Sequence, residues 1–258
     1  MGDVLDQKPY LQYARIEWEK IEDKERYPFC LSAVKNLESI KFEKAVTFIV
    51  GENGSGKSTI LEALATGMGL NPEGGNMNTR FSTSSTHSNL HKKIRCVKGY
   101  KRPKNWYFLR AESFYNVASY MDDMPEYLGS YGGKSLHAQS HGESFMALLK
   151  HKLRGNGFYM FDEPEAALSP QRQLEALIYF HRLAKDSQLI IATHSPILMA
   201  YPEADIYHIG AEKITKIEYE DTEHYQVTKN FLNRTDMMLS ELLDQLFTSP
   251  PRPVLRSL

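Results

Sequence analysis

The chain is short of several things, and each shortage excludes a class. Its two cysteines, Cys30 and Cys96, stand far apart with no C-x-x-C spacing. Neither a disulfide framework nor a cysteine zinc site can be built from them, and a reducing compartment fits. Nowhere do about 18 apolar residues run together, so no segment reads as a membrane span. The opening residues Met1-Gly2-Asp3-Val4-Leu5-Asp6 are acidic and lack the basic and apolar regions of a secretory leader. That predicts a cytoplasmic protein. Charge of one sign is also missing: 31 Lys and Arg face 32 Asp and Glu, for a formal net charge of -1. Any contact with a polyanion must therefore come from a local patch. No internal repeat is visible. At 258 residues and 41% hydrophobic, the chain is long enough for one large α/β domain or two small ones.

What is there centres on one stretch. Val46-Thr47-Phe48-Ile49-Val50 is a β-branched apolar run that reads as a buried parallel strand, and Ile60 to Ala65 read as a helix. Between them lies Gly51-Glu52-Asn53-Gly54-Ser55-Gly56-Lys57-Ser58-Thr59, the full G-x-x-x-x-G-K-S pattern. Such glycines let the backbone turn tightly, so that several N–H groups and a helix N-terminus converge on phosphate oxygens. Asn53, Gly54, Ser55, Gly56, Lys57, Ser58 and Thr59 then form a nucleoside triphosphate cradle. Lys57 would reach the β- and γ-phosphates, and the Ser58 hydroxyl would take a magnesium position. A Gly/Ser-rich turn can match this pattern by chance, but a strand before it and a helix after it supply the context a phosphate loop needs.

Hydrolysing a phosphoanhydride needs a carboxylate for magnesium, a group that activates water, and positive charge or dipoles at the γ-phosphate. The apolar strand Phe158 to Phe161 runs into Asp162-Glu163-Pro164. Asp162 is the candidate metal carboxylate, acting through bound water, and Glu163 the candidate general base. A carboxylate pair at a strand end can also merely cap a turn. Leu189 to Thr193 is the next buried strand and delivers His194, placed to bond the γ-phosphate and the water.

Elsewhere the chain reads as ordinary α/β material. Leu11 to Glu17 and Ser39 to Phe42 are candidate strands, and Tyr27 or Phe29 is either an adenine-stacking ring or a core aromatic. Residues 67–89 and 121–139 are loop-like, rich in Gly, Asn, Ser or Tyr. Lys92, Lys93, Arg95, Lys98, Lys101, Arg102 and Lys104 interleave with apolar residues and no acid. A hairpin turning near Gly99 would place them on one open face, either as a DNA or RNA site or as a solvated exterior. Trp106 to Arg110 is a strand, Phe145 to Arg154 a helix stopped by Gly155, and Ser169-Pro170 starts a helix toward Lys185. Ile206 to Ile209 and Ile214 to Tyr219 suggest a closing hairpin. Thr235 is expected to cap a last helix whose stripe of Met238, Leu239, Leu242, Leu243 and Leu246 reads as core packing.

The phosphate loop, Ser140-His141-Gly142-Glu143-Ser144, Phe161-Asp162-Glu163-Pro164, Glu165-Ala166-Ala167-Leu168-Ser169 and Thr193-His194-Ser195-Pro196 occur together in an order and spacing that resembles ABC-type ATPases. More narrowly, the pattern resembles the soluble stand-alone ATPases of the RecF and SMC-like branch. It spans roughly Tyr27 to His208. The resemblance implies an α/β P-loop fold: a mostly parallel sheet flanked by helices, an antiparallel β subdomain and a helical signature region. It implies a single domain over 1–248 with a lobe insertion at roughly 70–140, while the three prolines of Ser249 to Leu258 predict a disordered tail at 249–258. It implies ATP and magnesium as cofactors, ATP hydrolysis, and a homodimer in which Ser140 and Gly142 of one subunit reach the γ-phosphate held by the other. A nucleic acid or a co-encoded effector protein would be switched by that dimerisation.

The sequence departs from the family pattern in four places. His141 replaces a Gly, Glu143 a Gln and Ser169 an Asp, and no Gln occurs between Lys57 and Leu136. Glu112 is the nearest stand-in as a metal ligand there. Fewer than about thirty residues separate Glu112 from Ser140, too few for a coiled-coil arm. Two other readings stay open: a transporter's nucleotide-binding subunit, and a nucleotide-sensing module with little hydrolysis.

Overall fold

The structure is a computed structural model that describes residues 9–75, 88–111, 119 and 140–248, of which 245–248 by backbone alone. In chain order the strands are β1 (Leu11–Ile16), β2 (Ser39–Lys41), β3 (Val46–Gly51), β4 (Ile94–Lys98) and β5 (Asn105–Arg110). They continue with β6 (Gly157–Asp162), β7 (Gln188–Ala192), β8 (Asp205–Ile209) and β9 (Ile214–Ile217). The α-helices are α1 (Ser32–Lys35), α2 (Lys57–Met68), α3 (His141–Ala147), α4 (Pro170–Ala184), α5 (Pro196–Met199), α6 (Glu223–Asn233) and α7 (Thr235–Thr248).

Two sheets result, as the fold class requires. The larger runs β5-β6-β7-β3-β8-β9, parallel except for the β8–β9 pair. The smaller is antiparallel in the order β2-β1-β4. Every residue of β3, β6 and β7 is buried, which is why these strands read as unbroken apolar runs instead of alternating ones. Successive side chains still point to opposite faces. Tyr159 and Phe161 face α3 and α4, with Phe161 ring centroids 6.3 Å from Phe145 and 5.2 Å from Phe180. Phe158 and Met160 face the other way, toward α2 and the small sheet. Leu61 and Leu64 of α2 are fully buried there, each burial contributing roughly 1.5–3 kcal/mol. One buried amide joins the two sheets: Gln188 accepts from the Leu11 N–H at 2.8 Å and donates to the Leu11 carbonyl at 2.9 Å.

The order of the large sheet positions the site. β7 lies between the phosphate-loop strand β3 and the acidic strand β6, so Gly51, Asp162 and Thr193 emerge side by side at the carboxyl ends of neighbouring strands. Ligands gather at that edge of an open α/β sheet. No described helix is long and apolar enough to cross a membrane.

Four expectations need correction. Residues 92–104 do not fold as a hairpin: β4 pairs with β1 in the small sheet, and β5 joins β6 in the large one. The basic residues are dispersed accordingly, with the Lys93 ammonium donating to the Lys20 carbonyl. The helix expected from Phe145 begins four residues earlier, at His141, because Ser140 caps it, and it passes directly into a π turn at Leu148–Lys152. Helix α6 was not expected at all; its apolar members are few and none of its residues is buried. Thr235 does not cap α7, since its hydroxyl donates back to the Phe231 carbonyl. Nor is the α7 stripe core, with Leu239, Leu242 and Leu243 40%, 54% and 50% exposed. Glu112, most of the expected insertion at 70–140 and the tail at 249–258 lie outside the described residues.

Candidate functional site

The phosphate loop closes onto α2 through Gly56, whose φ of 102° only glycine adopts without strain and whose added Cβ would sit 2.9 Å from Ala33 Cβ. The Ala33 N–H donates to the Ser55 carbonyl, so α1 rests directly on the loop. Lys57 is 4% exposed, and its ammonium donates to the carbonyls of Gly51 at 2.9 Å and Glu52 at 2.8 Å. Burial pushes its pKa down, opposed by the carboxylates of Glu163, Asp162 and Glu165. An anionic phosphate arriving there would exchange two neutral acceptors for a charged one. The Ser55 hydroxyl is buried without a hydrogen-bond partner, a state that buried polar groups rarely keep unless a ligand completes them. Asn53 and Gly54 are exposed at the loop tip, and Thr59 is half-buried on α2.

At the end of β6, Asp162 accepts from the Ser58 hydroxyl at 3.1 Å. The guanidinium of Arg110, from the end of β5, lies 3.7 Å from Asp162 and 3.1 Å from Glu62 of α2. Glu163 turns into the left-handed region, φ 53° and ψ 53°, while its N–H donates to the Ala192 carbonyl. A non-glycine residue held there costs on the order of 1 kcal/mol or more and recurs where a side chain must be aimed. Glu163 points its half-exposed carboxylate toward His194, Oε1 to Nε2 at 3.7 Å.

His194 is fixed from behind. Half-buried Glu165 accepts from the Thr193 hydroxyl at 2.7 Å and from the His194 N–H at 2.5 Å, and Ser195 caps α5. Burial raises the Glu165 pKa, with those two hydrogen bonds pulling the other way. The His194 ring meets a second imidazole, Nδ1 to the Nε2 of His224 on α6 at 2.8 Å. Burial lowers the pKa of both, so neutral rings are favoured. The outward His194 Nε2 is buried without a hydrogen-bond partner.

The structure thus brings Lys57, Ser58, Asp162, Glu163 and His194 together, and sets Ser140 and Gly142 elsewhere. Ser140 is the N-cap of α3 and part of a capping box: its hydroxyl donates to Glu143 at 2.8 Å and its N–H at 2.9 Å. Those bonds, the Ser140 N–H first, hold the Glu143 carboxyl below its usual range. Glu143 therefore has a local role that its place in the motif did not reveal. Gly142 is buried, and a Cβ on it would lie 2.7 Å from Arg172 Nη1 and 2.8 Å from the Ala167 carbonyl. No hydrogen bond joins Ser140 or Gly142 to the phosphate loop among the described residues. Phe29 is core at 8% exposure, whereas Tyr27 is 57% exposed.

Sequence reasoning gave no role to Arg110, Glu165 and His224. A strand-end position flags Arg110, and adjacency to the acidic pair flags Glu165. Nothing in the sequence links His224 to a histidine thirty residues earlier.

A magnesium ion fits the donors present. Ser58 Oγ offers a direct ligand, and Asp162 Oδ1, 3.1 Å from it, is placed to accept from a water on the ion. No group of three His, Cys, Asp or Glu side chains could hold a metal among the described residues.

A family model described as an AAA domain matches residues 29–118, the segment that holds the phosphate loop. No curated protein matches the chain. Among solved structures it is similar to an SMC head domain from Thermotoga maritima, at 17% identity over 70% of this chain and 93% of that one, TM-score 0.41. It is similar, too, to an SMC head bound to the C-winged helix domain of ScpA, at 16% identity, 70% and 93% coverage and TM-score 0.41. A third is an ATP-binding cassette of an ABC transporter, at 16% identity over 78% of this chain and 89% of that one, TM-score 0.43.

Proposed function

We propose that the chain binds ATP with magnesium, hydrolyses it, and uses the cycle to drive association of two copies. The carrying observation is the 3.1 Å approach of Ser58 to Asp162 beside Lys57, with Glu163 and His194 at the adjoining strand ends. Lys57 and the loop N–H groups hold the phosphates. Ser58, and Asp162 through bound water, would hold the ion, which would withdraw charge from the phosphate oxygens. Glu163 takes the proton of the attacking water, and a neutral His194 donates from Nε2 to the γ-phosphate. Exposed Tyr27 is the candidate adenine-stacking ring.

The second subunit enters through Ser140, which is exposed at the start of α3. To donate to a phosphate held by a neighbour, the Ser140 hydroxyl must release Glu143. That exchange offsets part of the gain from closure, so the closed dimer is expected to be short-lived. Calorimetry of ATP binding by Lys57→Ala and Glu163→Gln tests the site. The first variant should lose binding and the second keep it while losing turnover; hydrolysis by both at the wild-type rate would end the proposal.

A nucleic acid is the partner best supported, on a surface different from the expected hairpin. On the small sheet Arg15 stands directly opposite Arg95, and Tyr13 opposite Lys41, all four exposed. Like charges facing each other across strands are unfavourable, and a polyanion laid across them would relieve that. A co-encoded effector protein is the alternative occupant.

A further inference from the structure

From α6, which belongs to neither sheet, a polar contact reaches the candidate chemistry: His224 on His194. We propose that His224 is a positioning residue that fixes the tautomer of His194, donating from its Nε2–H to His194 Nδ1 so that His194 keeps its own proton on Nε2. This rests on the role proposed above for His194 at the γ-phosphate.

Hydrogen-bond chemistry leaves two arrangements for the 2.8 Å contact. Between neutral imidazoles one proton is shared, since each ring has one donor and one acceptor. If His194 donated from Nδ1, its Nε2 would present a lone pair to the Glu163 carboxylate at 3.7 Å and to any phosphate in the loop. Acceptor would then face anion on both counts. If His224 donates instead, the His194 Nε2 carries the proton, and a buried atom without a partner becomes a donor aimed at the place where negative charge collects. The second arrangement sets a donor, and not a lone pair, toward the anions.

The platform under His224 is rigid. Thr222, 1% exposed, caps α6 by accepting from the Tyr225 N–H and donates its own hydroxyl to the Tyr219 carbonyl. Tyr219 packs on Tyr225, ring centroids 4.6 Å apart, and its hydroxyl donates to the Pro196 carbonyl two residues past His194. The segment carrying His224 is thereby tied to the segment carrying His194. The charged and titratable groups that face the pair are Lys57 and Glu163 on the His194 side, and Glu223, Lys57 and Glu165 on the His224 side. Orienting partners of this kind typically change activity 10- to 100-fold when removed from metal-bound histidines, and the same scale is expected here.

The test compares His224→Phe, which removes the donor, with His224→Gln, whose amide N–H reaches about as far as Nε2. With ATP and magnesium, His224→Phe should hydrolyse at least about tenfold more slowly while binding ATP within about twofold of wild type, and His224→Gln should recover most of the rate. Nitrogen-15 spectra of the imidazoles should show His194 protonated on Nε2 in the wild type and a mixture of tautomers in His224→Phe. Full hydrolysis by His224→Phe alongside an inactive His194→Ala overturns this proposal and leaves the site reading intact. Full hydrolysis by His194→Ala overturns both. Finding His194 protonated on Nδ1 in the wild type overturns the proposal whether or not the Phe variant folds.

Discussion

Replacing Gly142 by alanine adds a single methyl in the first turn of α3, and the structure says what it meets. The new carbon would stand 2.7 Å from Arg172 Nη1, 3.3 Å from Arg172 Cδ and 2.8 Å from the Ala167 carbonyl oxygen. Arg172 can swing aside, at the expense of its 3.6 Å approach to Glu143. The Ala167 oxygen is backbone and cannot. Restoring an ordinary contact requires about half an ångström between α3 and the segment that follows Glu163, and crowding of this kind costs roughly 1–3 kcal/mol. Alanine returns about 1 kcal/mol through its helix preference over glycine. The net is a loss of up to about 2 kcal/mol, which for a chain of this size lowers Tm by up to about 8 °C. Thermal unfolding reads that loss, and fluorescent ATP binding should be unchanged because the phosphate loop is untouched. Hydrolysis should fall, since the displaced segment begins at Glu163. A Tm at or above wild type with full hydrolysis would refute the packing argument.

Four further outcomes are expected. Glu163→Gln should bind ATP and accumulate as a dimer by light scattering; a variant that saturates with ATP yet stays monomeric removes the dimer from the mechanism. Wild-type ATPase activity per molecule should rise with protein concentration, and a flat profile counts against a shared site. Burial holds the pKa of His194 and His224 below 6.5, so the unfolded chain binds the extra protons, and stability present above about pH 6.5 should drain away as pH falls below it. Urea melts at two pH values check this, and an identical pH response in a His194→Gln/His224→Gln double variant would show that the drop comes from elsewhere. Finally, Arg15→Glu with Arg95→Glu should abolish DNA retention at low salt; retention that ignores both the charge reversal and added salt would clear this face of the role.

The fold was largely legible because its central strands are buried on both sides. Phe158 to Phe161 and Leu189 to Ala192 announce themselves as apolar runs, and the polar residues just past them are where the sheet ends. The placement of the candidate residues was legible for the same reason: Asp162, Glu163 and His194 lie at or just past the ends of these strands. Less local features were not. The segment Lys92 to Lys104 looked like a hairpin because neither strand states its partner, and pairing across long separations is decided by tertiary packing. Glu143 read only as a departure from the family pattern, although a Ser three residues before it spelled out a capping box. His224 reaches the site from a helix with no buried residue, so no hydrophobic period marked it.

The Gln188 amide gives Leu11 the two hydrogen bonds that another strand would have offered. A side chain is standing in for a length of main chain, and it does so at the seam of two sheets. Parting the sheets would break both bonds together with the apolar packing around them, so the two should melt in one step. The amide proton of Leu11 would then exchange with solvent only when the whole molecule opens, a single spectroscopic reporter for global unfolding.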